Sequence, residues 1–162
     1  MALRDDSKTN VYSALSTLAG VALTPAIVTL SPPKAISQDP NGKDTQIKVT
    51  AVATANYRGS GTYQYKRLKL EDLPGLLYLP LRVAADQPQN LYGLLTLIRQ
   101  QLGINFSTDD VEDASIVTQG DVRTLKITAK AGSLVWQGSC TLTLGNLPNF
   151  AALFNSDIIL WS

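Results

Sequence analysis

The chain has 162 residues, enough for one domain that buries roughly 68–70% of the surface its unfolded form exposes. Lysine and arginine number 14 against 13 acids, charged residues are 17% of the total, and histidine is absent. A polyanion partner is not expected from that balance, the commonest general base and metal ligand are missing, and so little charge hints that part of the surface lies against neighbours.

The start, MALRDDSKTN, carries acids where a secretory signal needs cations followed by an apolar run. No apolar stretch approaches the ~18 residues of a membrane span, so the protein is expected to be made in the cytoplasm and to avoid membranes. Ser7 or Thr9 can cap a short helix in which Val11, Leu15 and Leu18 share a face, and Gly20 stops it. A brief strand is expected at 27–30, followed by Pro32, Pro33, Ile36 and the turn Asp39-Pro40-Asn41-Gly42. Prolines at this density keep the chain extended and out of a central strand. Residues 1–43 therefore read as a helix plus a reaching arm, with an ordinary connection lying on its own domain as the other reading.

The clearest strand signal is DTQIKVTAVATA, where Ile47, Val49, Ala51 and Ala53 alternate with Gln46, Lys48, Thr50 and Val52. NYRGSGTYQYKRLKL follows, with Gly59-Ser60-Gly61 suited to a reversal and Tyr63 and Tyr65 on one face with Arg67. A phosphate cradle needs glycines between a strand and a helix, whereas these join strand to strand. The tyrosines beside Arg58, Lys66 and Arg67 would suit stacked bases, but Glu71 and Asp72 break the basic field. A hairpin is the expected structure.

The segment 74–88 is broken by Pro74, Pro80 and Pro88, with strand-like residues at 76–79. The main helix is expected at about 90–102, capped by Asp86 or Asn90, with Leu91, Leu94, Leu95, Ile98 and Leu102 as its apolar stripe and Gly103 as its stop. STDDVEDASI holds four carboxylates but lacks the spacing and glycine of a calcium loop, and Ser107 followed by acids reads as a short helix start. Strands are then expected at 114–118, 122–130 and 134–144, with turns at Gly120 and Gly132. Cys140, the one cysteine, reads as a small buried strand residue. The tail offers Phe150, Leu153 and Phe154 and a final strand at 158–161, where Trp161 either closes the sheet or plugs into a neighbour.

The pieces DTQIKVTA, YRGSGTYQYKRL and GINFSTDDV, in this order over nearly the whole chain, resemble small virion structural proteins of tailed bacteriophages, especially large myoviruses. The resemblance implies a protein repeated in a capsid surface, neck or tail, as a decoration or joining component located in the virion. It carries over no catalytic residue and does not extend to the tail NLPNFAALFNSDIILWS.

The expected fold is α+β: a mainly antiparallel sheet or small sandwich over 44–162, one main helix packed on it, and the helix and arm of 1–43 beside it. The expected function is non-enzymatic assembly in multiple copies through the arm and strand edges. Its candidate interface is Pro32, Pro33, Ile36, Tyr57, Tyr63, Tyr65 and Trp161. Partners would be copies of the chain and other virion proteins, with no cofactor, metal, nucleic acid or small-molecule substrate. The alternative is a carbohydrate-binding or adhesive module using Tyr57, Tyr63, Tyr65 and Trp136. On this reading, deletion of 1–43 leaves a folded core that no longer assembles, and Leu95→Ala costs about 2–5 kcal/mol.

Overall fold

Asp6 opens the first helix, α1 (Ser7–Ala19), by accepting the Thr9 N–H on Oδ1 at 2.9 Å, and Gly20 closes it in the left-handed conformation at φ 68°. The cap is Asp6 and neither Ser7 nor Thr9, the two expected; the Ser7 hydroxyl donates to Asp110 instead. A computed structural model describes residues 5–37, 40–53, 56–73, 81–84 and 86–145. Val11 and Leu15 of α1 are buried, while Leu18 is 72% exposed.

Strands β1 (Val28–Leu30) and β2 (Lys34–Ala35) both pair antiparallel with the same side of β3 (Thr45–Ala51), and β4 (Ser60–Tyr65) pairs with its other side. The expected hairpin is present, with Ile47 opposite Tyr63 and Val49 opposite Gly61, but its reversal comes before the expected Gly59-Ser60-Gly61, since Ser60 and Gly61 already pair within β4. Thr45 and Ile47 face the core, whereas Lys48, Thr62 and Gln64 lie on an outer polar face.

Beyond this sheet, β5 (Leu68–Lys69) leads into a single 3-10 turn, Leu70–Asp72, and pairs in parallel with a later strand. The main helix, α2 (Leu91–Leu102), ends at Gly103 with φ 70°, as its stop signal implies. Then β6 (Val117–Gln119), β7 (Val122–Thr128), β8 (Trp136–Gln137) and β9 (Ser139–Leu144) follow. β7 lies between β6 and β9, and β8 is the partner of β5. Gly138, at φ 78°, separates β8 from β9 and lies so close to Glu71 that a Cβ there would meet its Oε1 at 2.3 Å.

The fold is α+β, mainly antiparallel sheet with one main helix. One core joins Val11 and Leu15 of α1, Ile47 of β3, Leu91, Leu94 and Ile98 of α2, and Leu125 and Ile127 of β7.

Two further expectations change. The described part of 1–43 is no free arm: β1 and β2 fill the second edge of β3, the Tyr12 hydroxyl donates to Val28 O at 3.1 Å, and the Ile36 N–H donates to Asp44 O at 2.9 Å. A sheet edge left bare would present a row of unpaired backbone groups, and the proline-bearing segment covers it. The Ser107 segment forms a hydrogen-bonded turn, the Asp110 N–H donating to Ser107 O at 3.0 Å, and then bridges to β7's end through Val111 and Ala129 rather than continuing as a helix. The strand-like residues 76–79, the Asp39 turn position and everything from 146 onward lie outside the described residues.

In urea unfolding, Ile98→Ala is expected to cost about 2–5 kcal/mol, because Ile98 is fully buried. Leu95→Ala is expected to cost less than Ile98→Ala, since Leu95 packs on the core's flank; equal losses would contradict the orientation of α2. Deleting 1–43 is expected to remove cooperative unfolding itself, monitored by near-UV circular dichroism, and not assembly alone.

Candidate interaction surface

After Gly20 the chain doubles back along α1, with Ser16 Oγ accepting the Leu23 N–H at 2.8 Å. Opposite this reversal stands the turn end of the β3–β4 hairpin, where β3 ends at Ala51 and β4 begins at Ser60. Between them runs an apolar groove of about 560 Å³. Leu18, Val21 and Leu23 form one wall, Ala51, Tyr57 and Tyr63 the other, and Leu15, Val28 and Val49 also line it. Arg58 is the one charged side chain among the described lining residues. Five large hydrophobic residues are exposed among the described residues, and three of them, Leu18 at 72%, Val21 at 41% and Tyr57 at 47%, gather here. Scattered apolar residues on a surface are ordinary; a cluster marks a place of contact. The other two, Val117 and Val122, sit on the β6–β7 hairpin.

The groove spans residues of β1 and β3 and reaches β4 from Ser60 to Tyr63. The Ala51 N–H donates to Gly59 O at 3.0 Å, so alternation along the ladder points the N–H and C=O groups of Gly61 and Tyr63 toward β3 and those of Ser60, Thr62 and Gln64 away from it. Among the described residues no strand pairs with that outer side. Strand β4, SGTYQY, also lacks the charge or proline that usually guards an edge, whereas the opposite edge of this sheet is guarded by Pro32 and Pro33.

The candidate residues therefore separate. Tyr57 and Tyr63 line the groove. Tyr63 also stacks on Tyr65, with ring centroids 5.6 Å apart. Tyr65 turns inward, its hydroxyl donating to Leu134 O at 2.7 Å, and burial pushes its pKa up to about 12. Pro32 borders a different depression, beside Tyr12 and Asp109, and Pro33 and Ile36 are half-buried along β2. Trp161 lies outside the described residues. Leu18 and Val21 were not expected here. Their signal was present in the sequence, since an apolar residue follows Gly20 where α1 has already stopped.

Trp136 is 3% exposed and packs against Phe106 at 5.0 Å between ring centroids, so it offers no sugar a platform. Arg67 is held internally by Thr45 Oγ1 at 3.1 Å and Ser133 O at 3.4 Å, which takes it out of the basic group considered for nucleic acid.

The other grouping of reactive side chains surrounds Asp110, which is 1% exposed. Its Oδ1 accepts from the Ser7 and Ser133 hydroxyls, the latter at 2.8 Å. Its Oδ2 accepts from the Ser107 N–H at 3.0 Å and the Ser107 hydroxyl at 2.7 Å. All three serine hydroxyls thus donate into the carboxylate, which joins α1, the Ser107 turn and the approach to β8. At the surface beside it, Lys8 Nζ meets Asp109 at 3.0 Å, and that hydrogen bond holds the Asp109 carboxyl below its usual range. Cys140 is buried, and burial raises its thiol to about 11, away from thiolate chemistry at neutral pH. Among the described residues, no group of three or more cysteines, aspartates or glutamates is placed to hold a metal.

A family model described as a family of unknown function, DUF7941, matches residues 2–159. The chain belongs to that family. Comparison with curated proteins and with solved structures returns no match. The family's description carries no activity, so the functional reading rests on the surface itself.

Asp110→Ala is expected to cost about 3–5 kcal/mol in denaturant unfolding, because several hydrogen bonds to a charged group, worth about 1.5–3 kcal/mol each, are lost in the interior. A loss below 1 kcal/mol would mean that the serines find other partners. Tyr65 gives a pH dependence. Its folded pKa is raised above the unfolded value, so its contribution is fully present below pH ~10 and is lost as pH rises toward about 12. Tyr65→Phe is expected to flatten the alkaline fall in stability over that window and to lower neutral-pH stability by about 1 kcal/mol.

Proposed function

We propose that the protein is a non-enzymatic structural component of a tailed-phage virion, made in the host cytoplasm and repeated in the capsid, neck or tail, that assembles through the β4 edge and the adjoining groove. The observation that carries the assembly reading is the coincidence, among the described residues, of a strand edge without charge, proline or partner strand and a cluster of exposed apolar side chains. Backbone groups on such an edge give a partner strand its hydrogen bonds, and pockets beside it select side chains, which is the physics of strand addition. A ring or lattice then repeats a modest contact until it becomes durable. The low charge fraction of 17% agrees with a surface partly covered by neighbours. The virion assignment draws on the sequence resemblance.

The inward-pointing serines around Asp110 support a structural part for that cluster in place of a nucleophilic one. Among the described residues no helix is long and apolar enough to cross a membrane. The second reading, a carbohydrate-binding or adhesive module on the virion surface, rests on Tyr57 at the groove.

Native mass spectrometry over rising protein concentration is expected to show a defined oligomer, and Leu18→Glu to weaken it at least tenfold, about 1.4 kcal/mol or more, without changing the fold. A monomer at every concentration would overturn assembly. A glycan array should be blank; saturable binding abolished by Tyr57→Ala would instead establish the second reading. Immunogold labelling of phage particles tests location, and unlabelled particles would remove the virion assignment.

A further inference from the structure

Segment 146–162, NLPNFAALFNSDIILWS, lies outside the described residues. Asp157 is its one charged side chain, set among Phe150, Leu153, Phe154, Ile158, Leu160 and Trp161. So many large apolar groups in a short stretch require cover from water.

The groove beside β4 matches this segment in three respects. It is apolar, and its 560 Å³ falls in the ~300–1,000 Å³ range of sites that take compact apolar groups, room for a few anchoring side chains. Its one charged lining residue is Arg58, opposite in sign to Asp157. It also reaches β4 from Ser60 to Tyr63, and the outward groups of that strand at Ser60, Thr62 and Gln64 can pair with an extended main chain.

The point of departure allows the segment to reach a neighbouring molecule. Gly145, the last described residue, donates its N–H to Leu81 O at 2.9 Å beside β9, on the β6–β7–β9 sheet, whereas the groove belongs to the β1–β4 sheet. An extended segment advances about 3.3 Å per residue, so this one spans roughly 50 Å. A domain of this length has a radius of gyration of about 15 Å, so the segment is long enough to leave its own molecule.

We propose that segment 146–162 of a neighbouring copy occupies the groove, adds its main chain to the free edge of β4 and inserts apolar side chains between α1 and the hairpin, with Asp157 paired to Arg58. Each copy then gives one segment and receives one. The contact joins two different surfaces, so it builds a closed ring where the rotation permits and a filament where it does not. This inference rests on the assembly reading above and names its occupant.

The test is photocrosslinking of the full chain with a benzophenone amino acid in place of Leu18, which is exposed and outside the core. Isotopically light and heavy copies are mixed before irradiation and the crosslinked peptides sequenced. The expected result is linkage to peptides of 146–162, with mixed light–heavy pairs. In parallel, Phe154→Asp is expected to reduce oligomer as strongly as Leu18→Glu, and Asp157→Lys to weaken it in a manner restored by Arg58→Glu. Crosslinks within one copy alone overturn the exchange between copies. Crosslinks to other segments in an oligomer, or an oligomer without any crosslink to 146–162, overturn the occupant and leave the assembly reading standing. Absence of any oligomer removes both.

Discussion

Asp110 is the point on which the arrangement depends. A carboxylate with 1% exposure is costly to bury unless its lone pairs are occupied, and here two donors serve each oxygen. The donors come from Ser7, Ser107 and Ser133, so satisfying one side chain brings together segments from the beginning, middle and later part of the chain. Ser133 then passes the order along, its Oγ accepting the Trp136 N–H at 3.1 Å where β8 begins. Apolar burial holds the core together but does not choose a direction; the serine–aspartate cluster, being directional, fixes how α1 meets the rest.

The groove follows from that placement. Val11 and Leu15 lie on the buried side of α1, and Gly20 stops the helix before a further apolar turn is covered. Leu18 and Val21 are left at the mouth, facing a hairpin whose inner face carries Val49 and Tyr63. At the opposite end of β3, Asp44 fastens the sheet to the remainder of the molecule. Partial burial works against its ionisation, yet hydrogen bonds from Gln137 at 2.7 Å and Thr45 at 2.8 Å hold its carboxyl below the usual range. One end of this sheet is thus tied down and the other presents apolar surface.

The sequence made the local structure legible. Period two located β3 and β4, the 3.6-residue stripe located α2, and Gly20 and Gly103 marked two helix ends because positive φ favours a residue without Cβ. What escaped was long-range. Asn90 stands at the start of α2, but the Tyr92 N–H is capped by Asp113 at 2.9 Å, a partner that no local pattern reveals. The acids near Ser107 looked like a helix start, whereas Asp110 is needed inward by serines 103 and 23 residues away. The prolines at 32 and 33 signalled an extended chain correctly, but extension alone does not distinguish an arm reaching out from a strand lying back on β3.

The two edges of the β1–β4 sheet differ. On one, Pro32 and Pro33 withhold backbone donors and interrupt the strand between Leu30 and Lys34, so no long partner can add there. On the other, β4 runs unbroken from Ser60 to Tyr65 with no charge and no proline. Exposed edges invite uncontrolled aggregation, and among the described residues one edge of this sheet is guarded while no strand covers the other. The tyrosines add to the asymmetry. Tyr65 spends its hydroxyl on Leu134 and fixes the tied end, while Tyr57 stays exposed at the turn end. A tied end and an apolar end suit the proposed strand addition, because a preordered edge spares the molecule the entropy of becoming ordered when a segment pairs with it.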